Sequence, residues 1–253
     1  MRNPMDIRNR IRDRLRTAAQ ARTVTSVRIG LGYTAVVLDN GQTGLAFTFH
    51  RDMPKRCSLF SGSLPLEGRS ALALLNLIGS SKKIETAVGM ATANALANVD
   101  SGRFKDGDIL DFIKIRATDR VGMVGMFGPL IGPLRKTAGE LIIFEKEDRP
   151  AESLQPDTQI PERLPDCQIA LITATSIINH TMDQFLHCAS NCREVVVLGA
   201  STPLVPKVFK DTPVTCLSGV VVSDPSAVLQ VVSSAGGMRQ FKGFVKKVNL
   251  RLR

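Results

Sequence analysis

The sequence predicts an α/β protein in two parts. A small α+β unit of meander strands and helices occupies residues 1–112, and a Rossmann-like, doubly wound parallel sheet occupies residues 113–253. Three observations carry this reading. From Arg120 onward, short continuously apolar runs alternate with helical stretches, the pattern of parallel strands covered on both faces. The first such stretch, Val121 to Glu145, reads as strand, glycine turn, helix, strand. Ahead of it, residues 24–49 hold β-rich runs, two of them joined by the hairpin turn Asp39-Asn40-Gly41.

Residues 3–22 place Ile7, Ile11, Leu15 and Ala18 or Ala19 on one stripe of a helix surrounded by arginines. Val24 to Ile29, Ala35 to Leu38 and Leu45 to Phe49 then form a three-stranded meander, its first two runs separated by Gly30-Leu31-Gly32-Tyr33. Residues 54–65 read as loop, and Arg69 to Ile78 as a short helix ending at Gly79. Ser81 is the expected cap of a longer helix, Lys82 to Val99. Gly89, Ala91, Thr92 and Ala93 give that helix a small surface that calls for a close neighbour. A charged connection, residues 100–119, leads into the second part.

Five strands are expected there: Val121–Gly125, Leu141–Glu145, Gln168–Thr173, Glu194–Gly199 and Val214–Val222. Thr181-Met182-Asp183-Gln184 reads as a capping box for a helix to about Ser190. Asp224-Pro225 sets an N-cap before proline at the first helical position of a helix to about Ser234. Pro133 falls where an interior N–H is needed, so the helix after Gly128 should be short or irregular. Residues 148–165, polar and rich in proline, read as surface loop.

Composition narrows the function classes. A chain of 253 residues with 43% hydrophobic residues can bury a real core. Aromatic residues make up 5%, with no Trp and one Tyr, which argues against aromatic stacking as the main binding mode. No apolar run is long enough to span a bilayer, and the Arg-rich start lacks a signal-peptide core, so a cytoplasmic protein without a membrane partner is expected. The five scattered cysteines suit free thiols. Cys188 and Cys192, four apart with His187 beside them, would share a helix face; small buried hydrophobes explain them better than a soft-metal site, which would need further ligands. The net charge of +10 is concentrated at the ends, with seven arginines in the first 22 residues. Solvated helix and strand faces account for it better than a nucleic-acid footprint, because no nucleic-acid motif accompanies the charge.

Candidate chemistry lies at strand ends. Gly122-x-x-Gly125-x-x-Gly128 departs from the dinucleotide fingerprint in the position of its middle glycine. Glu145, roughly 20 residues on, nevertheless stands where a ribose-binding acid would. Thr173 to Thr181 offers hydroxyls at Thr173 and Thr175, an amide at Asn179 and an imidazole at His180 where a strand gives way to a helix. Ser201 follows the next strand, and Gly219 interrupts the one after, a sign of close backbone approach. His180 lacks any nucleophile–base arrangement around it, and Asp224 is explained as a cap.

Several short motifs recur in a fixed order: Gly30-Leu31-Gly32-Tyr33-Thr34-Ala35-Val36, Gly44, Val88 to Leu96, Val121 to Phe127, Leu141 to Glu145, Thr173-x-Thr175 with Asn179-x-Thr181, Gly199-x-Ser201-x-Pro203, Ser218-Gly219 to Asp224-Pro225, and Phe241-Lys242-Gly243-Phe244. In that order and spacing they resemble the putative heavy-metal chelation family. The resemblance implies an enolase-N-terminal-like domain followed by a Rossmann-like domain, an active site where the two meet, and a link to metal-chelating compounds. Ala200 and Pro133 depart from the expected pattern.

On this basis the chain is expected to be a small-metabolite enzyme or binding protein with an interdomain site, tied to the synthesis or handling of metal chelators, pterin-like or related compounds. The alternatives are a non-catalytic metal or metal-chelate binder, and a nucleic-acid-associated protein using its basic termini. The expected ligand-binding residues are Glu145, Thr173, Thr175, Asn179, Ser201 and Gly219 on the sheet side, with Gly30, Gly32, Tyr33 and Asn94 on the other wall. No catalytic residue is assigned. The cofactor candidates are a nucleotide-like or adenosylmethionine-like ligand, or a metal ion. A second copy of the chain is a candidate partner.

Overall fold

The computed structural model describes residues 6–50, 60, 64–100, 102–146 and 154–253. Helix α1 (Ile7–Gln20) forms on the expected stripe, with Ile7, Ile11, Leu15 and Ala19 buried. Asp6 caps it by accepting the Asn9 N–H at 3.1 Å. Strands β1 (Val24–Ile29), β2 (Tyr33–Leu38) and β3 (Thr43–Phe47) pair antiparallel in that order. The turn between β2 and β3 holds Gly41 at φ +79, in the left-handed region that glycine enters without strain.

The expected helix of residues 69–78 is split into α2 (Ala71–Leu75) and a 3-10 turn, Asn76–Gly79. The longer α3 (Lys83–Ala97) starts one residue later than expected. Ser81 is not its cap: Lys82 holds the N-cap position without a side-chain capping bond, while the Ser80 hydroxyl ahead of it accepts the Lys82 N–H at 3.1 Å and donates to Glu85 at 2.6 Å. The small surface of α3 packs on two sides. A Cβ on Gly44 of β3 would lie 2.1 Å from the Ala91 carbonyl, and one on Gly89 would lie 2.4 Å from the Ile78 nitrogen.

The second part is an eight-stranded sheet. Its elements are β4 (Lys105–Asp106), β5 (Arg120–Val124), α4 (Gly128–Thr137), β6 (Glu140–Glu145), β7 (Leu154–Pro156), α5 (Ile160–Arg163), β8 (Ile169–Thr173), α6 (Thr175–Ile178), α7 (Met182–Cys188), β9 (Glu194–Leu198), β10 (Cys216–Val222), α8 (Pro225–Ser233) and β11 (Val245–Arg251). The order is β4-β11-β10-β9-β8-β5-β6-β7, parallel from β10 to β7 and antiparallel where β11 joins. The chain passes from β5 to β6 on one side and later returns to β8 on the other. The carboxyl ends of β5 and β8 therefore flank the switch point where open α/β sheets leave a crevice.

All five expected strands form, with ends within two residues of the prediction. The mixed α/β class is that of the sequence reading, with a parallel-dominated sheet and a small antiparallel one. Alternate residues face opposite layers: Ile142, Phe144, Ala170, Ile172 and Val197 meet the core shared with the first part, while Val121, Met123, Ile143, Leu171 and Leu198 meet the layer containing α4. A third cluster joins Ala35 and Leu45 of the meander to Val220, Val228 and Val232.

Some expectations need correction. Residues 154–166 are not surface loop, since β7 pairs with β6 and Ile160 and Leu164 are buried. Strand β11 was not expected. Its lysines hid the pattern, yet Val248 and Asn249 are buried. The short β4 lies ahead of the 112/113 division but pairs with β11. Pro133 does not break α4, which runs ten residues with Leu130 and Leu134 buried. Thr181 makes no capping bond. Its backbone is already helical, and its hydroxyl turns back to the Ser176 carbonyl at 3.5 Å. The cause is a C-terminal Schellman turn on α6: the Thr181 and His180 N–H groups donate to the Ser176 and Ile177 carbonyls, with His180 at φ +65.

Helix α7 ends at Cys188, so Cys192 lies beyond it and not on a shared helix face. Cys167, Cys188, Cys192 and Cys216 are buried free thiols, and Cys57 lies outside the described residues. Burial pushes Cys192 up to about 12 and Cys167 and Cys216 up to about 11, so these thiols stay protonated as small hydrophobes. The expected loop at residues 54–65 falls mostly outside the described residues. Among the described residues, no helix is long and apolar enough to cross a membrane.

Candidate functional site

A cleft of about 800 Å³ opens where the meander meets the carboxyl edge of the large sheet. Its floor begins at Gly125, whose φ of +84 lets the chain turn sharply out of β5. That turn aims the Met126 N–H at Glu145 Oε2, 3.1 Å away on the neighbouring strand. Glu145 Oε1 accepts the Lys146 N–H at 3.2 Å. The carboxylate thus bridges the ends of two parallel strands while lining the cleft.

After β8, the Thr173 and Thr175 hydroxyls share a hydrogen bond of 2.9 Å, so one hydroxyl hydrogen remains to be directed elsewhere. Asn179 is the C-cap residue of α6. Its side-chain oxygen is buried without a hydrogen-bond partner among the described residues, and the residue lines the cleft. Such an orphaned acceptor costs free energy unless a ligand or water supplies a donor. After β9, Gly199 at φ +114 passes beneath the Phe127 ring. Ser201, 2% exposed, accepts the Phe47 N–H at 2.9 Å and so ties the meander to the sheet edge. On β10, a Cβ at Gly219 would crowd Leu204 and the Thr202 carbonyl, which explains the glycine there.

The meander supplies an aromatic wall. Tyr33 stacks edge-on against Phe47 (5.8 Å) and Phe241 (5.3 Å), and Phe47 against Phe49 (5.0 Å). Burial pushes the Tyr33 phenol up to about 12, so it is neutral at physiological pH. Lys83 and Lys146 bring their ammonium groups to 5.1 and 5.8 Å from the Phe49 ring centroid. The chain has few aromatic residues, but four of them sit together here. Average scarcity does not predict local clustering.

Seven of the expected ligand residues line this one cleft: Tyr33, Glu145, Thr173, Thr175, Asn179, Ser201 and Gly219. Gly30, Gly32 and Asn94 stand behind it. Gly30 and Gly32 let β1 and β2 approach the end of α8, since a Cβ at Gly30 would lie 2.2 Å from the Val232 carbonyl and one at Gly32 would lie 3.1 Å from that of Gly236. Asn94 is buried and donates to the Leu45 and Ala200 carbonyls at 2.7 and 3.3 Å, which links the two parts. His180 lies outside the cleft lining. Burial first, then Arg8 and Lys83, hold its imidazole below the ordinary value. Phe47, Phe49, Lys83 and Lys146 were missed by sequence reasoning. The spacing of Tyr33, Phe47 and Phe49 at strand ends was a usable signal, whereas nothing local marks the lysines.

The residues do not fit a metal ion held by protein side chains alone. Among the described residues, no group of three or more His, Cys, Asp or Glu side chains comes together. Glu145 is engaged with two backbone N–H groups, and the buried thiols are packed in the cores.

Comparison with known proteins agrees with the architecture. The chain is similar to a crystal structure of a protein with unknown function from Pyrococcus horikoshii, with a TM-score of 0.86 and 23% identity over 97% of this chain and 99% of that one. A second such structure, from Desulfitobacterium hafniense DCB-2, gives a TM-score of 0.84 and 22% identity over 99% and 100% of the two chains. An uncharacterized protein of Methanocaldococcus jannaschii is 23% identical over 186 residues, 70% of each chain. Two family models, both described as putative heavy-metal chelation, match residues 12–97 and 108–251. The chain therefore belongs to the putative heavy-metal chelation family, whose function is unknown.

Proposed function

We propose that the protein binds a small polar metabolite, of the kind that chelates metal or is a precursor of such a compound, in the cleft between the meander and the sheet edge. The observation that carries this reading is convergence. Residues from β2, β6, β8, α6 and β10, far apart in sequence, line one concave space at the switch point of the sheet. The reading takes the chain as two parts, residues 1–112 and 113–253.

Each group has a definable task. The Glu145 carboxylate and the Asn179 side-chain oxygen are acceptors and would take N–H or O–H donors from the ligand edge. The Thr173–Thr175 pair can donate or accept. Tyr33, Phe47 and Phe49 exclude water from one side and strengthen those polar contacts. Glu145 needs no reorganisation on binding, because two backbone N–H groups already fix it.

Thermal-shift and calorimetric screening tests the proposal, using nucleosides, pterins, adenosylmethionine and chelating heterocycles. A ligand present at ~100 times its Kd should stabilise the protein by about 2.7 kcal/mol. That gain should vanish in Thr175→Trp, where the indole fills the cleft. The reading fails if no compound stabilises the folded wild type, or if stabilisation survives in the filled variant.

A further inference from the structure

Resting on the cleft reading above, we infer that Tyr33 is the specificity-determining donor of the cleft: its phenol hydrogen-bonds a carbonyl oxygen or ring nitrogen of a flat heterocycle whose N–H is taken by the Asn179 oxygen. Tyr33 opens β2 and packs against the cluster of Val220, Val228 and Phe241, where the meander meets the sheet edge. Phe47 and Phe241 meet its ring edge-on, so the ring is held from two sides. The residue lines the cleft, and its hydroxyl has no hydrogen-bond partner among the described residues.

A tyrosine in apolar surroundings usually gives its O–H to a protein acceptor. Here the packing of the ring is served equally by phenylalanine, so the hydroxyl contributes nothing to the fold that the contacts reveal. Burial pushes the phenol up to about 12, so it keeps its proton and remains a donor at physiological pH. The Asn179 side-chain oxygen, likewise without a partner, belongs to the second part of the chain, at the end of α6. One donor on the meander and one acceptor on the sheet side therefore ask for a ligand that carries both an acceptor and an N–H or O–H. Both protein groups are neutral, which matches the paired C=O and N–H of a lactam. The rings of Phe47 and Phe49 beside Tyr33 favour a flat, unsaturated body for it. A site that leaves a donor and an acceptor unpaired until the ligand arrives discriminates strongly against analogues lacking either group.

The test uses the full chain and three probes: carbostyril, a lactam with both groups; N-methylcarbostyril, which keeps only the acceptor; and indole, which has only the donor. By titration calorimetry, carbostyril should bind at least ~10-fold tighter than either of the others. Tyr33→Phe should weaken carbostyril and N-methylcarbostyril about 5- to 10-fold and leave indole unchanged. Asn179→Ala should weaken carbostyril and indole instead. Without ligand, Tyr33→Phe should unfold at or above the wild-type midpoint, because it removes a hydroxyl that no protein group satisfies. Tyr33 is the chain's one tyrosine, so tyrosine labelled isotopically at Cζ gives a single resonance, which should move downfield when carbostyril binds. Normal carbostyril binding by Tyr33→Phe, an unmoved resonance, or a Tyr33→Phe midpoint well below that of wild type overturns the inference. The cleft reading survives each of these results, provided that Thr175→Trp still blocks carbostyril. Binding of none of the three probes also overturns the inference, and the broader screen then decides the cleft reading alone.

Discussion

At the scale of single residues, polar side chains in this protein are spent on joining backbone segments. Asp119, 2% exposed, accepts Arg193 at 2.8 and 3.1 Å and the Arg116 N–H at 2.7 Å, clamping the entry to β5 against the entry to β9. The Arg193 hydrogen bonds hold its carboxyl below the ordinary carboxylate value. A carboxyl whose folded pKa is depressed adds stability above its unfolded pKa, about 3.9, and that stability is lost as pH falls through the folded value. Asp183 works in the opposite sense. Burial raises its carboxyl, so its ionised form costs stability above the folded value. Asp119→Asn should therefore cost about 2 kcal/mol at pH 7, a figure discounted because Arg193 is partly solvated. The difference from wild type should shrink below about pH 4. Urea titrations across pH 3–7 measure both effects, and a pH-independent difference would count against the assignment.

Among the elements, α3 shows packing overruling local preference. Replacing a helix-interior glycine by alanine favours an isolated helix by about 1 kcal/mol. Gly89 is such a glycine, but its Cβ would sit 2.4 Å from the Ile78 nitrogen, against backbone that cannot swing aside. Gly89→Ala should destabilise the protein by about 2–4 kcal/mol despite the propensity gain. A denaturation midpoint equal to or above that of wild type would show that the helix and the 3-10 turn at Asn76–Gly79 can separate at little cost. The small residues on this helix announced a close neighbour in the sequence, but not which one. Five of the six parallel strands were equally legible, because a buried parallel strand is a short apolar run bounded by polar or glycine residues; the sixth, β7, is three half-buried residues in a polar stretch and reads as loop. Strand β11 was not, since Lys246 and Lys247 fall within it at a partly solvated position. The capping box at Thr181 also misled: the preceding turn sets Thr181 in helical φ/ψ, and a cap requires extended backbone.

Across the whole molecule, one apolar core runs from Ile11, Leu74 and Ala91 into Ile172, Leu186 and Val197, so the two parts share their interior. Asn98 seals the junction. It donates to the Thr202 and Val220 carbonyls at 2.9 and 3.2 Å and accepts the Leu204 N–H at 2.8 Å. Asn98→Ala leaves those three buried groups without their partner and should cost about 2–4 kcal/mol. Unfolding should remain a single transition in both proteins, with fluorescence of the lone tyrosine, Tyr33, and far-UV circular dichroism coinciding. Separate midpoints would mean that the parts unfold independently. By itself the sequence determined the α/β class, the positions of five of the six parallel strands, and the polar residues Glu145, Thr173 and Thr175 at or just beyond their carboxyl ends, with Asn179 one short helix further on, all of which follow from periodicity and residue type over a few neighbours. Only the tertiary structure decided the strand order, the retreat of Gly30, Gly32 and Asn94 behind the cleft wall, and the meeting of Phe49, Lys83 and Lys146. Those depend on how the meander seats against the sheet edge, and packing between residues scores of positions apart leaves no local signature.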